Sequence, residues 1–280
     1  MEVIETAEEM QITSEGHRRA GRKIALVPTM GFFHEGHLEL MRIGRNHSDI
    51  LIISIFVNPT QFGPAEDFDQ YPRDPEGDLL KAREVGVDVV FMPSPEDMYP
   101  KGYQTSVQVE KVTSHLCGHS RPGHFKGVTT VVAKLFHITK PDLAVFGQKD
   151  YQQLTAISRM VMDLNMDIHI LGVPTVREED GLAMSSRNSY LSVEERKSAL
   201  CLNQSLDLAV NMFKEGERSA KAVKQVIEDL IQSHPFTSVE YISLCDPVTL
   251  EETETLGEET LLALAVRVGK TRLIDNCLIR

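Results

Sequence analysis

The stretch IALVPTMGFFHEGH, Ile24–His37, decides the fold. Its first part, IALVP at Ile24–Pro28, is a short continuous apolar run, the pattern of a strand covered on both faces. A turn containing Gly31 follows, and His34, Gly36 and His37 stand where a helix begins. Strand, tight turn and helix make the opening half of a βαβ unit, so a parallel sheet is expected. Glycine lets the backbone come close to a ligand, and a helix N-terminus offers unpaired N–H groups and a positive dipole end to an anion. The stretch is therefore a phosphate site in outline.

Working outward, four more compact apolar runs read as strands: Asp49–Phe56, Val87–Met92, Asp142–Phe146 and Asp167–Val173. Between them Val128, Val131, Val132, Leu135 and Phe136 recur at i, i+3, i+4, i+7 and i+8, one buried helical stripe, and Pro141 stops that helix. The proline-containing polar stretch Asn58–Pro75 reads as a long ordered loop, and such loops are often functional. Beyond residue 175 come two helical stripes, Leu202 to Phe213 and Val223 to Ile231, and then the apolar segments VEYISL and ETLLALAVRV. The fold expected is α/β: a Rossmann-like parallel sheet with helices on both faces over residues 1–175, and a smaller α+β lid domain over 176–280.

Composition narrows the function. A chain of 280 residues buries enough surface, roughly 75% of what its unfolded form exposes, to need no disulfide or metal for stability. Cys117, Cys201, Cys245 and Cys277 are dispersed, form no C-x-x-C pair and follow an acidic, polar N-terminus, so they read as reduced thiols of a cytoplasmic protein. The richest apolar run, ILIISIFV, stops at eight residues, short of the roughly 18 that suggest a membrane span. A net charge of −12 repels nucleic acid, so neither a membrane nor a nucleic acid is an expected partner. An anionic substrate must instead find a local positive patch. Candidates are His34 with His37, Arg121 with His124 and Lys126, Lys149, and Arg187.

Four segments carry chemistry. In H-x-G-H, His34 and His37 can present imidazoles on one side of the turn, each able to hydrogen-bond phosphate oxygens or act as an acid. A purely structural pair is the plainer alternative, and zinc a third, although H-E-G-H is not H-E-x-x-H. In GLAMSSRNSYLS, Gly181–Ser192, Ser185 and Ser186 can bind phosphate oxygens while Arg187 supplies a charged fork. A plain linker ending at a Ser192 helix cap, with Glu195 completing a capping box, explains the same residues. In FGQKDYQQL, Gly147–Asp150 lie at the carboxyl end of a predicted strand, the ligand edge of an open α/β sheet, where Lys149 can meet phosphate; an exposed lysine that only solvates the surface is the plainer alternative. In FVNPTQFGPAEDFDQYPRD, Asn58 and Gln61 can orient a small polar substrate, and Gln61 with Gln153 suits a hydroxy acid; turn chemistry accounts for much of the stretch equally well. VGKT at Val268–Thr271 lacks the leading glycine of a P-loop, Leu264 standing in its place, and His115, Cys117 and His119 lack a fourth metal ligand.

Taken in order, PTMGFFHEGH, FVNPTQFGP, SRPGHFKGVTTVVAKLF, FGQKDYQQ, GLAMSSRNSYLS and GKTRLIDN resemble the pantothenate synthetase family over nearly the whole chain. H-x-G-H with a later serine-rich basic loop is shared with class I aminoacyl-tRNA synthetases and small nucleotidyltransferases; the other blocks are specific. The resemblance implies an ATP-dependent, AMP-forming ligase that joins pantoate to β-alanine through a pantoyl-adenylate, with Mg²⁺ and a homodimer. It also implies roles. Met30, Gly31, Phe32, Phe33, His34, Glu35, Gly36 and His37 would begin the ATP site. Gly147, Gln148, Lys149, Asp150, Val176, Met184, Ser185, Ser186 and Arg187 would complete it. His34, His37, Lys149 and Arg187 would act on the phosphates, Gln61 and Gln153 would hold pantoate, and Gln61 would also lie near β-alanine; no metal ligand is implied. Phe32 and Phe33 replace a smaller pair, and Gln148 stands where glutamate is frequent, which touches adenine packing and local charge. The rival is a nucleotidyltransferase whose product keeps the nucleotide; a nucleotide-binding regulator without chemistry is the reading from another class.

Overall fold

The computed structural model describes residues 1–64 and 66–280. In chain order its first elements are β1 (Glu2–Ile4), α1 (Ala7–Arg19), β2 (Ile24–Thr29), α2 (Glu35–Asn46), β3 (Ile50–Ile55), α3 (Pro75–Val85), β4 (Val89–Phe91) and α4 (Pro95–Met98). There follow α5 (Leu116–Ser120), α6 (His124–Thr139), β5 (Leu143–Gly147), α7 (Tyr151–Asp163), β6 (His169–Val173), α8 (Val193–Ala199), α9 (Cys201–Lys214), α10 (Ala220–Gln232), β7 (Thr237–Cys245), β8 (Thr260–Val268) and β9 (Thr271–Ile279). They divide into two compact units. One comprises 1–110, 121–148 and 153–174; the other comprises 111–120, 149–152 and 175–280.

The first unit is built on a six-stranded sheet of order β1-β4-β3-β2-β5-β6, every neighbouring pair parallel. The apolar runs are continuous because alternate residues enter two different cores. Ile24, Leu26, Ile50 and Ile52 face one layer with Met10 of α1, Val128 and Val132 of α6, and Ile157 and Met160 of α7. Ala25, Val27, Leu51 and Ile53 face the other, with Met41 of α2 and Ala82 of α3. Helices thus cover both faces, and each large side chain buried this way contributes roughly 1.5–3 kcal/mol. From β2 the chain runs one way to β3 and β4, then returns to lay β5 and β6 on the other side. The reversal lies between β2 and β5, and the crevice at the carboxyl ends of such a pair is where open α/β sheets bind ligands. The turn 30–37 leaves β2 on that edge, and Gly147 ends β5 there. The five strands expected are present, and β1, hydrogen-bonded to β4, is a sixth.

The second unit carries a three-stranded antiparallel sheet, β7-β8-β9. Leu262, Leu264, Val266 and Val268 of β8 pack against Leu202 and Leu206 of α9 and Val223, Ile227 and Ile231 of α10, the two helical stripes seen in the sequence. Ser192 caps α8: its Oγ accepts the Glu195 N–H at 3.2 Å, and Glu195 Oε2 accepts the Ser192 N–H at 2.9 Å. The four cysteines are unpaired. Burial pushes the Cys201 and Cys277 thiols up to about 12 and Cys245 up to about 11, so these three stay protonated and unreactive near neutrality.

Candidate active site

The turn after β2 is held by its own backbone. Thr29 Oγ1 donates to Ser54 O at 2.6 Å and accepts the Gly31 N–H at 3.2 Å. Gly31 (φ +80°) and Phe32 (φ +53°) are both left-handed, a conformation natural to glycine and costly for phenylalanine. The N–H groups of Phe32 and Phe33 turn inward onto the buried carboxylate of Asp78, at 2.7 and 2.6 Å. His34 is the N-cap of α2, with extended backbone, and its N–H reaches His37 Nδ1 at 3.4 Å. The His34 and His37 rings lie 4.1 Å apart, and Phe33 flanks His37 at 5.5 Å. Both imidazoles therefore stand together at the helix start, as the spacing implied.

The role of the backbone differs from the sequence-based expectation. The amides of Gly31, Phe32, Phe33 and His34 are engaged within the protein, and that of His37 bonds His34 O at 2.9 Å. What stands at the helix start is the pair of half-buried imidazoles, with His34 Nδ1 itself buried, and the N–H groups of Glu35 and Gly36, the first helical positions, which have no intrahelical acceptor. Because His37 Nδ1 accepts a backbone N–H, a neutral His37 carries its proton on Nε2, a donor suited to a phosphate oxygen.

Gln61 sits in a short 3₁₀ turn, Pro59–Gln61, beside this turn. Asn58 Oδ1 accepts from Tyr99 Oη at 2.8 Å, Thr60 Oγ1 at 2.9 Å and the Thr60 N–H at 3.3 Å, which fixes the orientation of its amide. Its Nδ2 then donates to Gly127 O at 3.2 Å and to Gln61 Oε1 at 3.0 Å. With its oxygen engaged, Gln61 presents its NH₂, which lies 3.2 Å from Met30 Sδ, and so can donate to a hydroxyl or carboxylate oxygen. The Gln61 carbonyl is held by His124 Nδ1 at 2.8 Å and Arg121 Nη2 at 3.4 Å. Only glycine fits at position 127, since a Cβ there would meet Thr60 O at 2.4 Å.

Arg121, counted in sequence among the positive patches, is neutralised instead. Its Nε and Nη2 grip Glu66 at 2.7 and 2.6 Å. Burial alone would push the Glu66 carboxyl up, but Arg121's hydrogen bonds and charge, with smaller help from the Gly63 amide and His124, bring it down to about 2. The pair is a structural clamp on the Gln61 backbone. Gln153, on the first turn of α7, is half-buried, and its side chain makes no hydrogen bond among the described residues.

Gly147 ends β5 and Gln148 follows it, both in the first unit; the other expected nucleotide positions, Lys149, Asp150, Val176 and Met184 to Arg187, lie in the second unit. Val176 O accepts the Met184 N–H at 3.0 Å, and Leu182 O accepts the Glu178 N–H at 2.8 Å. Residues 176–184 therefore form a hairpin rather than a plain linker, and Ser185–Arg187 leave it into a 3₁₀ turn, Ser186–Tyr190. Ser185 Oγ caps that turn by accepting the Arg187 N–H at 3.3 Å, and Ser186 is buried. Asn188 ties the turn to Glu178 Oε1 at 2.7 Å. β9 fixes both parts of this set: Asp275 binds Arg177 through two hydrogen bonds, at 2.7 and 3.0 Å, and Asn276 Nδ2 donates to Lys149 O at 2.8 Å. The Lys149 ammonium itself makes no hydrogen bond or ion pair among the described residues.

Reading the sequence missed Asp78, Tyr99, Asp275 and Asn276. Asp78 looks like an ordinary acidic residue in the first turns of α3, whose N-cap is Asp74, and nothing in the GKTRLIDN block singles out the Asp275–Asn276 pair at its end.

The profile of the pantoate-beta-alanine ligase family matches residues 2–278. The pantothenate synthetase of Syntrophus aciditrophicus (strain SB) is 58% identical over 276 residues, covering 99% of this chain and 96% of that protein. The crystal structure of pantothenate synthetase from Thermus thermophilus superposes with a TM-score of 0.93 at 42% identity, covering 99% of each chain. Pantoate-beta-alanine ligase from Francisella tularensis, solved as a complex with beta-gamma ATP and beta-alanine, superposes with a TM-score of 0.80 at 32% identity, covering 99% of this chain and 97% of that one.

Proposed function

Since the chain belongs to the pantoate-beta-alanine ligase family, we infer that it condenses pantoate with β-alanine in an ATP-dependent reaction that yields pantothenate, AMP and pyrophosphate. The observation that carries this is the match to the family over residues 2–278, together with the paired histidines of the Gly31–His37 turn at the carboxyl edge of the sheet.

The pantoate carboxylate attacks the α-phosphorus of ATP in line, expelling pyrophosphate and forming a pantoyl-adenylate. The β-alanine amine then attacks the acyl carbon, and AMP leaves. Neither step requires a covalent bond to the protein; both require positioning and donors aimed at oxygens whose charge rises in the transition state. His37 Nε2–H and His34 serve the phosphates from the turn after β2. Lys149 and Arg187 supply formal positive charge to them, with Ser185 and Ser186 as neutral donors. Met30 to His37, Gly147, Gln148, Asp150, Val176 and Met184 line the nucleotide. The Gln61 amide donates to pantoate and lies near the amine's position, and Gln153, with no hydrogen bond within the described chain, is a second pantoate ligand.

Mg²⁺ enters as the counter-ion of the ATP phosphates. Among the described residues no group of three or more His, Cys, Asp or Glu side chains is placed to hold a metal, so no protein ligand is assigned and no step is routed through the ion. A homodimer in the cytoplasm completes the proposal, supported by the resemblance; no helix among the described residues is long and apolar enough to cross a membrane.

Pantoate labelled with ¹⁸O in its carboxylate tests the adenylate route. One ¹⁸O should appear in AMP and none in pyrophosphate, because the carboxylate oxygen that attacks phosphorus stays with it when the amine displaces AMP. Unlabelled AMP would exclude the adenylate.

A further inference from the structure

The turn 31–33 contains a concavity of successive backbone N–H groups, the arrangement that elsewhere cradles phosphates. Here it is filled from within. Asp78, 1% exposed, places Oδ2 2.7 Å from Phe32 N and Oδ1 2.6 Å from Phe33 N, one oxygen for each amide. Lys81, one helical turn along α3, donates from Nζ to Phe33 O at 2.8 Å. One face of α3 therefore holds three backbone polar groups of two successive residues, the N–H of Phe32 and the N–H and C=O of Phe33. A Cβ on Gly31 would stand 2.9 Å from Asp78 Oδ2, so the carboxylate is packed tightly beneath the chain as well as bonded to it.

We propose that Asp78 is a positioning residue for adenylate formation: its carboxylate, gripping the Phe32 and Phe33 amides, holds the turn in the left-handed conformation that sets His34 and His37 at the start of α2. The inference rests on the assignment of phosphate chemistry to this turn. Two consecutive left-handed residues, one of them phenylalanine, are a conformation the chain does not favour alone. Ionised acceptors make hydrogen bonds about twice as strong as neutral ones, and this pair lies at charge-assisted distances. Released from Asp78, Phe32 relaxes toward negative φ, and the helix start carrying both imidazoles moves with it. A displacement of about 1 Å in a reacting geometry costs on the order of 100-fold in rate. Asp78 touches no reacting atom; it acts only through the turn.

Asp78→Asn tests this, because asparagine fills the same space but sets an NH₂ against one of the two amides. The expected result is kcat for adenylate formation lower by roughly 10- to 100-fold, KM for pantoate unchanged, and a melting transition that remains cooperative. In protein carrying ¹⁵N-phenylalanine, the Phe32 or Phe33 amide proton should lose the downfield shift of a carboxylate hydrogen bond. Wild-type kcat in Asp78→Asn, or a loss of activity with both amide shifts retained, would overturn the proposal. If Asp78→Asn does not fold, Lys81→Met decides: it removes only the Phe33 O bond and should lower kcat several-fold at constant KM for pantoate, and unchanged kcat would overturn it. Failure of the wild-type protein to form AMP would instead overturn the functional reading, so the two failures are distinct.

Discussion

His37→Ala is expected to fold like the wild type and to lose roughly 10²- to 10³-fold in adenylate formation, the range seen when one preorganised donor is removed from a charged transition state. The fold should tolerate the change because His37 is only half-buried and its long hydrogen bond, 3.4 Å to the His34 N–H, sits at a helix end where water can replace it. The chemistry should not tolerate it. That same bond leaves the neutral ring with its proton on Nε2, and alanine supplies nothing in its place. His37→Gln, whose Nε2 can occupy the position of the imidazole Nε2, should recover part of the loss. The measurement is the single-turnover rate of pyrophosphate release at saturating ATP and pantoate, with a thermal melt alongside. A His37→Ala rate within a few-fold of wild type would remove the residue from the mechanism.

Lys149→Ala is expected to cost a similar factor, roughly 10²- to 10³-fold in adenylation. The backbone of Lys149 is anchored, its carbonyl taking the Asn276 amide at 2.8 Å, while its ammonium has no partner among the described residues. A fixed base and an uncommitted charge are what a phosphate ligand requires, and they also mean that truncation removes no ion pair among the described residues. Stability should therefore change by less than about 0.5 kcal/mol, as for surface substitutions away from structural features. Steady-state kinetics should show the loss mainly in kcat, since a contact that strengthens as the phosphates gain charge affects the transition state more than the bound substrate. A rise in KM for ATP with unchanged kcat would make Lys149 a binding residue only.

Most of the sheet was legible because its strands are short continuous apolar runs, and burial on both faces leaves no other use for them. β1 was not: Glu2–Ile4 is three residues long, and only Ile4 is buried. α1 was hidden for a related reason, since only Met10 and Ser14 of its thirteen residues are buried and its apolar stripe is too narrow to read. β9 alternates in burial as a half-covered strand should, yet its VGKT approach suggested a different comparison.

At the site the turn was legible because strand, glycine and paired histidines are contiguous. What supports it was not, because the supports are distant in sequence. Asp78 meets the turn across 45 and 46 residues, Arg121 meets Glu66 across 55, and Asn276 meets Lys149 across 127. An acidic residue on a helix or a basic cluster in a loop has the same appearance whether it faces water or grips a remote backbone, and only the fold distinguishes the two.

The most direct test incubates the purified protein with Mg²⁺-ATP and pantoate, with and without β-alanine, and follows AMP, pyrophosphate and pantothenate together. With all substrates present, the three products should appear in equal amounts, and pantothenate should be absent without β-alanine or without pantoate. With all three substrates present, absence of AMP, or a final product that retains the nucleotide, would contradict the ligase.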